Sequence, residues 1–466
     1  VTLALNAMNE NRDQTTFEDL GVDPKTCQAL AKIGITQPFP IQTLAIPIAL
    51  CGTDMIGQAH TGTGKTLAYG LPILQRIMLP GHDGFDEFSH YGKPQALVLT
   101  PTRELALQVT NDLAQAAKNV DARFVTIYGG VSYDDQLNAL RQGVDIVVGT
   151  PGRLLDLAKQ SVLDLSQVSI LVLDEADEML DLGFLPDVEN LADRTPTDKQ
   201  TLLFSATMPA EIVSLARSRL NHPVRVRAEG GDAQATAPDT TQLIYQAHEL
   251  DKPEMIGKIL QADGCGKVMI FTRTKFSAQR LADDLLDRGF KAGSIHGDLN
   301  QAQRERTLRR FRKGDLQALV CTDVAARGID VSGVTHVVNL EVPDDPKQYI
   351  HRIGRTGRAG ETGVAVTLVD WQDVVRWNVI NKALELNFAD PPETYSTSEN
   401  FLTDLGISPD IKGRLKASSP RKPRRDRTRT HSKAVETEVK HPKVRRPRTR
   451  RRTKNGKVIR EGNRKS

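Results

Sequence analysis

The stretch D-M-I-G-Q-A-H-T-G-T-G-K-T (54–66) decides how this chain is read. A short, largely apolar segment runs into a glycine-rich turn, and L-A-Y-G-L-P-I-L (67–74) continues as an apolar helical pattern. Strand, glycine turn and helix in that order are the context a phosphate-binding loop requires. Gly62 and Gly64 let the backbone turn its N–H groups toward a phosphate, and the helix N-terminus adds partial positive charge there. Lys65 is placed for β- and γ-phosphates and Thr66 for Mg²⁺, while Thr61 and Thr63 complete the loop.

Working outward, the same rhythm repeats. Aliphatic runs at 54–59, 95–100, 123–128, 144–149, 169–174 and 201–205 read as buried strands separated by helical patterns. A polar stretch at 228–240 reads as a linker, and the alternation restarts at 241–247, 267–272, 318–322, 336–340 and 364–369. Alternation of this kind predicts an α/β protein with two parallel-sheet domains in tandem. The expected boundaries are 1–227 and 241–390, followed by a disordered basic tail at 391–466.

D-E-A-D (174–177) follows the apolar run I-L-V-L. Asp174, at the end of that strand, is placed to hold Mg²⁺, and Glu175 to orient and deprotonate an attacking water. Together with the phosphate loop, this pair implies an ATP- or GTP-hydrolysing enzyme.

The 466 residues include four cysteines, which are too scattered for a disulfide framework or a C-x-x-C pair. No apolar run reaches the length of a membrane span, so a reducing, cytoplasmic location is expected. Charge is segregated: residues 411–466 carry 23 Lys/Arg against 4 Asp/Glu, a net of +19, which leaves −15 for the rest. Such a distribution points to a polyanionic partner.

From Phe17 to about Val369 the chain resembles the DEAD-box RNA helicases. The family's motifs occur in order: P-T-R-E-L-A (101–106), G-G (129–130), T-P-G-R (150–153), S-A-T (205–207), I-F-T-R-T (270–274), H-G-D (296–298), Q-R-E-R (303–306), T-D-V-A-A-R-G-I-D (322–330) and H-R-I-G-R-T-G-R (351–358). The resemblance implies two RecA-like domains that bind ATP and RNA across the cleft between them. It implies RNA-stimulated ATP hydrolysis coupled to separation of short duplexes or to remodelling of RNA–protein complexes.

G-I-T-Q-P-F-P-I-Q (34–42) resembles the family's adenine-reading motif, with Phe17 seventeen residues before Gly34. Gln42 offers a donor and an acceptor for the adenine edge, and Phe17 a stacking surface. The chain departs from the family at Phe39, where Thr or Ser is usual. Arg355 and Arg358, three apart, suit a γ-phosphate presented by the opposite domain. By resemblance, Asp330 contacts the ribose, and His351 couples to Asp177, Ser205 and Thr207. The family's RNA-binding positions fall on Arg103, Gly130, Thr150, Gly152 and Arg153 in the first half, and on Arg273, Thr322 and Asp323 in the second. The tail lacks aromatic residues and reads as a nonspecific RNA tether. A nucleic-acid clamp and a DNA translocase are the other readings, separable by whether strand separation needs ATP and whether RNA or DNA stimulates hydrolysis.

Overall fold

The computed structural model describes residues 15–59, 62–80, 82, 84–85, 92–227, 240–329, 331–357, 362–416, 453–454 and 457–458. The first half forms a seven-stranded parallel sheet in the order β3-β4-β2-β5-β6-β1-β7. Its strands are β1 (Met55–Gln58), β2 (Ala96–Leu99), β3 (Phe124–Ile127), β4 (Ile146–Gly149), β5 (Ile170–Leu173), β6 (Gln200–Ser205) and β7 (Val224–Arg227). The second half forms a six-stranded parallel sheet, β10-β11-β9-β12-β13-β8. It comprises β8 (Thr240–Gln246), β9 (Lys267–Thr272), β10 (Ala292–Ile295), β11 (Ala318–Thr322), β12 (Val334–Asn339) and β13 (Gly363–Val369).

Both faces of each sheet are buried, and strand periodicity shows how. In β2, Ala96 and Val98 enter one core while Leu97 and Leu99 enter the other. In β9, Val268 and Ile270 face one side, and Met269 and Phe271 the other. Side chains two apart share a face, so a continuous aliphatic run supplies two cores at once. This is why the strands were legible as unbroken apolar segments.

One strand and one boundary differ from expectation. Strand β7, V-R-V-R, is an edge strand pairing Met55 with Val224, and only Val226 is buried. Its exposed arginines hid it from a search for apolar runs. The second domain also continues beyond residue 390. Glu399–Asp404 is a helix, and Phe401, Leu405 and Ile407 join the core above β8 and β9. Tyr245 Oη donates to Asp404 at 2.8 Å, Gly413 N to Glu254 at 2.6 Å and Leu415 N to the Arg288 carbonyl at 2.8 Å. Three well-placed apolar residues and these bonds order a segment whose average composition reads as tail. Residues 391–416 are therefore folded, which corrects the expected boundary. Farther on, Thr453–Lys454 pairs antiparallel with Lys457–Val458. The rest of the expected disordered tail lies outside the described residues. Among the described residues no helix is long and apolar enough to cross a membrane.

Candidate active site

The glycine loop after β1 is built for close approach. Gly62 and Gly64 have φ of +85° and +83°, where only glycine is unstrained. A Cβ on Gly64 would lie 2.4 Å from Gln42 Nε2. Gly64 is also the N-cap of helix Lys65–Arg76 and supplies no side-chain cap, so the first-turn N–H groups face the loop without a side-chain acceptor there. Lys65, 6% exposed, donates to Glu175 Oε1 at 2.7 Å and to the Ala59 carbonyl at 3.0 Å. Burial opposes its charge, but Glu175 and Asp174 outweigh burial and hold the ammonium above its ordinary range. Thr61 lies outside the described residues.

The acidic turn follows β5. Glu175 has φ +51°, an unusual left-handed conformation for a residue with a Cβ. Asp174 accepts from Tyr69 Oη at 3.0 Å through one oxygen. Its other oxygen, Oδ1, is buried and has no hydrogen-bond partner. Burial, with the neighbouring Glu175 charge, pushes the Asp174 carboxyl up to about 6. A buried carboxylate oxygen without a donor fits a cation ligand. Among the described residues no cluster of three or more His, Cys, Asp or Glu could hold a metal alone. Glu178, one turn on, is pushed up to about 7 by burial and by Glu175, against the pull of Arg355 and Arg327.

Asp177 links this turn to S-A-T. Its Oδ2 accepts from Thr207 Oγ1 at 2.6 Å and from Thr207 N at 3.0 Å. Ser205 Oγ accepts from Asp177 N at 3.3 Å and donates to the Thr207 carbonyl at 2.7 Å. Burial opposes ionisation of Asp177, but the Thr207 hydroxyl and then Lys347 hold its carboxyl below the usual range.

The second half closes over this surface. Lys347 Nζ reaches Asp181 at 3.0 Å and Asp177 at 3.8 Å, and Arg304 pairs with Glu104 at 2.9 Å. A Cβ on Gly328 (φ +67°) would stand 1.9 Å from Thr102 Oγ1, so glycine is required at this contact. Arg355 is buried and donates to the carbonyls of Ile329 at 2.9 Å and His351 at 3.3 Å. Burial and Arg355 push His351 down to about 4. Its link to Asp177 is electrostatic, and Lys347 makes the ionic contact with that carboxylate. A cavity of about 550 Å³ is lined by Gln42, Gly64, Lys65, Thr66, Asp174 and Glu175 from the first half and by Gly328, Ile329 and Arg355 from the second. Asp330 and Arg358 lie outside the described residues.

Gln42, which also lines the cavity, donates to the Gly64 carbonyl at 2.9 Å and accepts from Phe39 N at 2.8 Å. A carboxamide has two N–H bonds and two lone pairs, so one of each is left for a ligand. Phe39 lines the cavity, 48% exposed. Phe17 does not line it. It is 3% exposed, packed in the core, and borders a neighbouring cavity that shares Ile35 and Thr36 with the cleft.

The residues expected on RNA sit beyond the carboxyl ends of adjacent strands: Arg103 after β2, Gly130 after β3, Thr150 to Arg153 after β4, Arg273 after β9, and Thr322 and Asp323 at the end of β11. That rim is where open α/β sheets bind ligands. Arg103 lies against Gly130 and donates to Gln301 at 3.4 Å, and Arg153 lies 3.8 Å over the Tyr133 ring. In the second half the charges are tied down. Arg273 donates to Asp373 at 2.8 Å, and Asp323 accepts twice from buried Arg352 at 2.6 Å. Sequence reasoning passed over Arg352, Tyr69, Glu178 and Lys347. Within Q-R-E-R (303–306), Gln303 caps its own helix, whereas Arg304 and the preceding Gln301 contact the first half. For Arg352 the available signal was its spacing, three residues before Arg355.

A family profile described as DEAD/DEAH box helicase matches residues 39–215, and one described as helicase conserved C-terminal domain matches 251–360. The chain is 43% identical over 362 residues to the DEAD-box ATP-dependent RNA helicase CshA of Geobacillus kaustophilus, covering 77% of this chain and 74% of that one. It is 40% identical over 396 residues to the ATP-dependent RNA helicase CshA of Listeria monocytogenes, covering 84% and 73%. The structure of Saccharomyces cerevisiae Dbp5 bound to RNA and ADP BeF3 superposes with a TM-score of 0.71 at 29% identity, over 84% of this chain and 97% of that one. Each sheet with its helices is thus a RecA-like domain, and the chain belongs to the DEAD-box family of ATP-dependent RNA helicases.

Proposed function

We propose that this chain hydrolyses ATP when RNA is bound and uses closure of its two halves to strip short RNA duplexes or remodel RNA–protein complexes. One observation carries the reading: Lys65, Asp174 and Glu175 from one half and Arg355 from the other line one cavity. Lys65 is paired with Glu175 at 2.7 Å. Arrival of the β- and γ-phosphates draws Lys65 away and leaves Glu175 to orient a water and accept its proton. Thr66 and the free Oδ1 of Asp174 would hold Mg²⁺, which neutralises charge on the phosphates. Arg355 exchanges the Ile329 carbonyl for the γ-phosphate, joined by Arg358. Gln42 reads adenine, with Phe17 supporting that region from the core, and Asp330 takes the ribose.

Asp177, Ser205, Thr207 and His351 carry the state of the nucleotide to the domain contact. Arg103, Gly130, Thr150, Gly152, Arg153, Arg273, Thr322 and Asp323 hold the strand by its backbone, without reading its sequence. The basic segment 411–466 tethers RNA by counterion release. Four free thiols suit a reducing, cytoplasmic compartment. The test is ATP turnover with no nucleic acid, with RNA and with DNA of equal length. Stimulation by RNA above both supports the reading, and equal rates in all three overturn it.

A further inference from the structure

The loop after β3 supports two arginines at the rim. Arg103 lies against Gly130, where a Cβ would stand 2.4 Å from its Nη1. Arg153, on helix Pro151–Lys159, donates to the Val131 carbonyl at 3.3 Å and to Gln136 Oε1 at 3.5 Å. Its guanidinium lies 3.8 Å over the Tyr133 ring. All of these supports are neutral. Among the described residues neither arginine has a carboxylate partner, whereas Arg273 and Arg352 in the second half both do.

A carboxylate is nonetheless at hand. Asp156 follows Arg153 by three residues on the same helix, a spacing at which opposite charges pair. No ion pair joins them. Both oxygens of Asp156 are engaged elsewhere: Oδ2 accepts from Tyr133 Oη, and Oδ1 from Gln160 Nε2 at 3.0 Å. Tyr133 therefore acts at both ends. Its ring faces the guanidinium, and its hydroxyl holds the acid that would neutralise it.

We propose that Tyr133 is a positioning residue for RNA: its ring seats Arg153 and its hydroxyl keeps Asp156 away, so that the guanidinium meets a backbone phosphate with its charge unshared. The inference rests on the reading of Arg153 as an RNA contact. A cation–π contact orders a guanidinium without cancelling its charge. A guanidinium also has more N–H donors than the two that Arg153 uses here, and phosphate oxygens are strong acceptors for the rest. Core packing does not account for Tyr133, which is 37% exposed.

The test measures affinity of the full chain for a short single-stranded RNA against salt. Arg153→Gln should flatten the slope of log affinity against log salt by about 0.7, the share of one phosphate. Tyr133→Ala loses ring and hydroxyl together and should weaken binding at low salt by about three- to tenfold. Tyr133→Phe keeps the ring and should weaken binding by about twofold, because Asp156 is then free to pair with Arg153. Asp156→Asn should restore that loss, with a gain about twofold larger in the Tyr133→Phe background than in the parent. A merely structural role for Tyr133 would not produce this coupling, and thermal melts report whether each variant is folded. Parental affinity in a folded Tyr133→Ala overturns the proposal, and leaves the RNA reading intact if Arg153→Gln still loses slope. Strictly additive effects of Tyr133→Phe and Asp156→Asn overturn the shielding by the hydroxyl. A parental slope in Arg153→Gln would instead defeat the reading of Arg153 as an RNA contact, and the proposal with it.

Discussion

Strands β1 and β8 hold corresponding places in the two sheets, each beside the strand that follows β5 or β12 in the order. Each is followed by a buried lysine at the start of a helix, Lys65 and Lys252. The surroundings separate them. Lys65 follows two left-handed glycines, and its helix has no side-chain cap. Lys252 donates to the Leu340 carbonyl at 2.7 Å and pairs with Asp370 at 3.1 Å. Pro253 removes a donor from its helix start, and Ser396 Oγ holds the preceding Asp251 at 2.8 Å. One fold thus gives a cradle in the first half and a closed structural corner in the second. The two corners differ in their glycines and in the partners of their lysines, and not in their place in the sheet.

The sharpest way to break this comparison is to remove both lysines. Lys65→Ala should cut hydrolysis by about 10³-fold or more with the fold intact. Lys252→Ala should leave ATP affinity unchanged and lower stability by about 2 kcal/mol, because Asp370 loses its partner. Parallel ATP titration and denaturant melts distinguish the two, and equal effects on both would erase the distinction. Next in size, Phe401→Ala should destabilise the second half by about 3 to 4 kcal/mol, since the ring is fully buried. A variant as stable as the parent would return residues 391–416 to the tail.

Gln42→Ala should reduce the preference for ATP over GTP by about ten- to thirtyfold, the worth of two hydrogen bonds. Competition binding checks it, and an unchanged preference would move adenine reading to another residue. The smallest effect concerns His351. Its folded value of about 4 lies below the ordinary 6.5, so its contribution is complete above 6.5 and is lost as pH falls toward 4. Thermal unfolding between pH 7 and 5 should be less pH-dependent in His351→Asn, and identical profiles would remove His351 from the account.

Much of the fold was legible because buried parallel strands leave unbroken aliphatic runs, as in I-L-V-L before Asp174. The glycine loop was legible because its glycines serve a local backbone need. What escaped depends on long-range contacts. Phe401 joins a core whose other members lie far back in the chain, among them Tyr245, 156 residues earlier. Lys347 and Gln301 acquire meaning only when the halves meet, Arg352 only when folding of the second half brings Asp323, Asn339 and Glu341 to it, and the inward burial of Phe17 depends on how its segment packs. Local chemistry can be read along the chain, whereas cross-domain pairing cannot.

The central claim is that hydrolysis needs a group from each half. It is tested most directly by Arg355→Ala, with ATP affinity and RNA-stimulated turnover measured on the same preparation. ATP affinity should stay within about threefold of the parent and turnover should fall by about 10³-fold, as expected for a group that meets the phosphate only as charge develops there. Turnover at the parental rate would contradict it and place the whole reaction in the first half.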